Sequence, residues 1–92
     1  MTDETFDAFK TRKMSEGYDQ VLVREWDPDF ANEPHDHPFD TDAFVAKGEY
    51  WLNLNGHTTH YKTGDVFKVN RGVLHSEEYG PAGAVFWAAR KN

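Results

Sequence analysis

The feature that most constrains this chain is the spacing of its turn signals. Asn55-Gly56 is a strong two-residue hairpin signal, while Gly48, Thr63-Gly64-Asp65 and Gly80-Pro81-Ala82-Gly83 mark further reversals. Between such breaks the residues alternate as strands do. Val21, Val23 and Glu25 fall on one face, and Leu22, Arg24 and Trp26 on the other, before Asp27-Pro28 ends the run. The pattern predicts strands at about 20–26, 35–39, 42–47, 49–54, 57–62, 66–69, 74–79 and 84–90. Short strands at near-regular spacing imply an antiparallel sandwich or barrel. The rings of Trp26, Trp51 and Trp87 suit its interior.

Ahead of the strands, residues 2–17 read as one helix. Its acids come early (Asp3, Glu4, Asp7) and its bases late (Lys10, Arg12, Lys13), the order the helix dipole favours. Asp3 or Thr2 is expected to cap it, Gly17 to end it, and Phe6, Phe9 and Met14 to offer a partial apolar face. The division is thus an accessory helix over 1–17 and one barrel domain over 18–92. Ninety-two residues support one thin core, so a homodimer is expected, with the apolar run Val85-Phe86-Trp87 at its interface.

Charge and composition then exclude whole classes of function. A net charge of −6 with scattered bases argues against nucleic acid as a partner. No apolar run is long enough to cross a bilayer, and the first residues are acidic where a secretory signal would be basic, so a cytoplasmic location and no membrane partner are expected. With no cysteine, disulfides and thiolate metal sites are excluded, and any metal must be held by nitrogen and oxygen.

His35 and His37 carry the most chemistry. Side chains at i and i+2 of an extended chain share a face, so two imidazoles can aim at one point. A third ligand must come from a neighbouring strand. His75 is the candidate, because the stretch from Gly64 to Leu74 is a turn, a strand and a second turn that returns the chain to antiparallel pairing. His57 and His60, three apart on a strand, point to opposite faces and read as surface residues. Glu77-Glu78 reads as a solvated strand end, Arg71 and Lys68 as exposed, and Ser15 and Ser76 lack an activating neighbourhood.

The segments Pro34-His35-Asp36-His37-Pro38, Val45-Ala46-Lys47-Gly48-Glu49, Gly64-Asp65 and Gly72-Val73-Leu74-His75 together resemble the two motifs of the cupin superfamily, in order and near its usual spacing. The resemblance covers about residues 33–78 and is nearest to stand-alone cupin 2 and AraC-type sensing barrels. It implies a jelly-roll β-barrel with a metal inside, held by two histidines and a glutamate of the first motif and one histidine of the second. His35, His37 and His75 match the histidines. The glutamate's position is occupied by Thr41, whose hydroxyl is a poor ligand. Water then completes the site, or Asp40 does if a bulge or a late strand start brings it round. Asn70 stands where the family often has proline, a change in turn stiffness.

The resemblance thus implies a divalent ion, Zn, Mn, Fe, Co or Ni, and a small-molecule ligand. Two readings follow. One is a metal-binding cupin of small-molecule metabolism, such as a dioxygenase or isomerase. The other is a non-catalytic, sugar-like ligand-binding or sensor module, which, lacking a helix-turn-helix, would signal through a partner.

Overall fold

Bends, rather than breaks, shape this sheet. The computed structural model describes residues 5–92. It contains a helix, α1 (Phe6–Ser15), followed by strands β1 (Gln20–Trp26), β2 (Asp40–Leu54), β3 (His57–Lys62), β4 (Val66–Val69) and β5 (His75–Lys91). Strand β2 runs through Gly48 and β5 runs through Gly80–Gly83, so each joins two strands that the sequence marks as separate. In β2 the register shifts between Val45 and Lys47 and again between Gly48 and Tyr50. Such irregularities let a strand turn a corner without losing its ladder. Gly48 and Gly83 both have left-handed backbone (φ +79° and +71°), and a side chain on Gly48 would collide with the Gly83 carbonyl.

The bend lets one strand serve two neighbourhoods. The order is β1-β5-β2-β3, with β4 also paired to β2, all antiparallel. The first half of β2 lies between β4 and the second half of β5, and its second half lies between β3 and the first half of β5. The sheet therefore curls round an apolar interior.

Ala43, Val45, Tyr50 and Leu52 of β2 meet Phe67 and Val69 of β4 and Tyr79, Ala84, Phe86 and Ala88 of β5 in that interior. Tyr50 sits at its centre, with ring centroids 4.6 Å from Phe86, 4.9 Å from Phe67 and 5.7 Å from both Tyr61 and Tyr79. Burial of a side chain of this size contributes roughly 1.5–3 kcal/mol.

Helix α1 covers the outer face. Thr5 caps it by accepting a hydrogen bond from the Ala8 amide, and Tyr18 N to Lys13 O with Gly17 N to Met14 O closes its end through left-handed Gly17. The caps expected at Thr2 and Asp3 lie outside the described residues. Phe9 is buried against Phe44, Ala89 and Trp87, whereas Met14 is exposed. Below the helix, Lys13 donates to Asp42 at 2.8 Å, a pair buried between helix and sheet.

Three expectations need correcting. Residues 35–39 form no strand, only a single bridge between His35 and His75. The tryptophans do not all fill the interior: Trp87 lies under α1, near Phe6, Phe9 and Phe44, and Trp51 stacks outside on His60. The run Val85-Phe86-Trp87 is not an open apolar face, because Phe86 is in the core and Trp87 is under the helix. Among the described residues no helix is long and apolar enough to cross a membrane.

Candidate metal centre and adjoining cavity

The loop between β1 and β2 carries two of the histidines, and hydrogen bonds hold it against the start of β5. Tyr79 N donates to Phe30 O, Asn32 N to Glu77 O, and His35 and His75 exchange two backbone bonds of 2.8 Å. Gly72 N donates to His37 O, pinning the loop's far end. This pairing sets His35 beside His75, while the i, i+2 spacing brings in His37.

The rings cluster with centroids 4.4–4.9 Å apart, and one candidate ligand atom from each lies within 4.8 Å of the other two. Nitrogens sharing a tetrahedral ion at about 2.1 Å stand about 3.4 Å apart, so the rings must close in by about an ångström to hold one. His35 Nδ1 donates to Glu33 O at 2.8 Å and His75 Nδ1 to Val73 O at 2.9 Å. A carbonyl can only accept, so each Nδ1 carries the proton and each Nε2 keeps its lone pair free. Burial, with His75, His35 and Arg90 nearby, pushes His37 below the ordinary histidine value and favours its neutral, ligating form.

A carboxylate stands beside them that the sequence reading passed over. Glu77 Oε1 is 3.7 Å from His35 Nε2 and 3.9 Å from His75 Nε2, a few tenths of an ångström beyond the ~3.4 Å between donors of a tetrahedral ion. Its side chain is only 11% exposed, which overturns its reading as a solvated strand end. Tyr79 donates its hydroxyl proton to Glu77 Oε2 at 2.8 Å, and Asn32 Nδ2 donates to Oε1 at 3.2 Å. Burial and then Glu77 itself push Tyr79 above the usual phenol value, so it stays a donor. The rule that paired His35 with His37 would have found Glu77, two residues beyond His75 on one strand face.

Asp40 is not in this group. Its carboxylate accepts from the Arg71 backbone amide at 2.8 Å and from the Arg71 side chain at 3.1 Å and 3.3 Å. Those bonds hold its pKa below the usual carboxylate value. Thr41, by contrast, turns toward the cavity, as its place in the first motif implies. His57 and His60 are exposed, as expected, and His60 pairs with Glu49 at 2.7 Å.

Next to the histidines a cavity of about 80 Å³ opens into the barrel. Apolar Ala43, Phe67, Val69, Phe86 and Ala88 line its depth, and Arg24, Glu77 and Arg90 are the charged groups on its wall. Trp26 lines it too, stacked on Tyr79 at 5.0 Å.

The sequence pattern of the AraC-like ligand-binding domain matches residues 18–89. No curated protein matches the chain. Among solved structures, KdgF from Halomonas sp. is 20% identical with a TM-score of 0.66, over 78% of this chain and 67% of that one. The Cnp3 cupin domain of Schizosaccharomyces pombe is 18% identical with a TM-score of 0.72, over 78% of this chain and 54% of that one. A protein described as a predicted oxalate decarboxylase from Thermotoga maritima is 23% identical with a TM-score of 0.70, over 88% of this chain and 72% of that one. At these identities the likeness speaks for the jelly-roll fold alone. The chain spans only about half of the Cnp3 structure.

Proposed function

Because the chain belongs to the AraC-like ligand-binding domain family, a cupin-type family, we propose that it binds a small molecule at a divalent metal ion held by His35, His37 and His75. The observation that carries this reading is the preset ligand geometry: three clustered rings, two of them with Nδ1 tied to a backbone carbonyl so that Nε2 is free. Glu77 brings a carboxylate oxygen within 3.9 Å of two of those nitrogens and serves as the fourth ligand. Nitrogen and oxygen ligation suits Zn, Mn, Fe, Co or Ni.

Such an ion supplies Lewis acidity toward a ligand in the cavity. The protein's part is to fix the imidazole tautomers through Glu33 and Val73, to orient the Glu77 carboxylate through Tyr79 and Asn32, and to surround the ligand with apolar wall. Open coordination positions beside an apolar cavity support an enzyme of the dioxygenase or isomerase kind. The family match favours a second reading, a non-catalytic ligand-binding or sensor module.

The test is elemental analysis of protein purified without an affinity tag, followed by calorimetry with Mn, Fe, Co, Ni and Zn. Alanine at His35, His37 or His75 is expected to weaken binding by orders of magnitude, and His57→Ala and His60→Ala to leave it unchanged. At a hundred times Kd, metal stabilises the folded state by about 2.7 kcal/mol and so raises the wild-type thermal midpoint. Wild type and His75→Ala binding all five ions equally weakly would remove the metal from this account.

A further inference from the structure

Arg24 and Arg90 are two cations facing a largely apolar cavity in a chain whose net charge is −6. Neither forms an ion pair or a side-chain hydrogen bond with any described residue, although elsewhere in the molecule Arg71 and Lys13 each hold an aspartate. Both rest on rings instead, the Arg24 guanidinium 4.8 Å from the centre of Trp26 and that of Arg90 4.6 Å from Phe39. A guanidinium on a ring face is held in place while its N–H edge stays open to an acceptor. The wall offers little to neutralise them, since its one carboxylate, Glu77, is already bound by Tyr79 and Asn32 and lies against the histidines.

From this we infer that the cavity binds a small carboxylate-bearing molecule, its anionic end on the Arg24 and Arg90 side and its other end toward His37, His75 and Glu77. The inference rests on the metal reading only for what the second end meets. The arginines supply the first end by themselves. Burial first, and then the like charge of Arg24, push Arg90 below its ordinary value, and a bound anion would offset both. A cavity of about 80 Å³ is small. Such a space takes a ligand of only a few non-hydrogen atoms. Carboxylate fits better than phosphate because the remaining wall is apolar and would leave the further oxygens of a phosphate without partners.

Calorimetry on the full chain, metal-loaded and after chelation, tests this with malonate, neutral malonamide and inorganic phosphate as probes. Malonate is expected to bind, malonamide to bind at least about tenfold more weakly, and phosphate to bind more weakly than malonate. Arg24→Gln and Arg90→Gln should each weaken malonate about tenfold or more while leaving metal content unchanged. Arg90→Lys keeps the charge without the fork and should fall between, which guards against a glutamine variant that folds poorly. Malonate and malonamide binding alike, or both glutamine variants binding malonate as wild type does, would overturn the inference. Phosphate binding better than malonate would overturn the carboxylate class. A wild type that takes up no metal yet discriminates malonate from malonamide would sink the metal reading and leave the arginine site standing.

Discussion

Single atoms decide the fourth position of the proposed metal site. Glu77 Oε1 lies 3.7 Å and 3.9 Å from two histidine nitrogens, while Asp40 spends both oxygens on Arg71. Substituting Glu77→Gln is expected to cut metal affinity about 10–100-fold, as loss of a group ordering or joining a site commonly does. Asp40→Ala should leave affinity unchanged and cost only what an exposed ion pair contributes. Competition with a chromophoric chelator reads both. Equal affinities for Glu77→Gln and wild type would exclude Glu77, and a loss confined to Asp40→Ala would return the fourth position to the residue the sequence suggested.

Between elements, polar and steric details fix how helix and sheet meet. Lys13 bridges α1 and β2 through Asp42, which also accepts from Tyr18 at 3.3 Å. Burial opposes the charge on Lys13, but its hydrogen bonds to Asp42 and Glu16 outweigh that and raise its pKa above the ordinary 10.5. Lys13→Met should therefore destabilise by about 1–3 kcal/mol near neutral pH. A raised folded pKa means the contribution is fully present below the unfolded value and is lost as pH rises through the folded one. The gap in urea midpoint between wild type and Lys13→Met should thus close above about pH 10.5; a constant gap would assign the effect to packing. The corner of β2 gives a second test at this scale. Gly48 is left-handed and faces the Gly83 carbonyl, so Gly48→Ala should cost about 1–3 kcal/mol from backbone strain and more from the collision. A thermal midpoint equal to wild type would show that the bend tolerates a side chain.

At the scale of the whole molecule, the homodimer expected from chain length loses the surface first assigned to it, because Phe86 and Trp87 are covered within the chain. We still propose a dimer, formed through another face, and light scattering at high micromolar concentration should give twice the chain mass; a monomer mass there refutes it. The sequence by itself determined the antiparallel β character, the helix and the pairing of His35 with His37, because alternation, turn glycines and i, i+2 spacing act over a few residues, while His75 rested on the returning strand and the motif resemblance. Even Glu77 was legible, being two residues from His75 on the same strand face. The joining of two strand pairs into β2 and β5 was not, since a glycine that ends a strand and one that bends it look alike until the partner register is known. Nor was the capture of Asp40 by Arg71 or the placing of Arg24 and Arg90 on one cavity wall. Those depend on residues 31 and 66 positions apart, which only the closed sheet brings together.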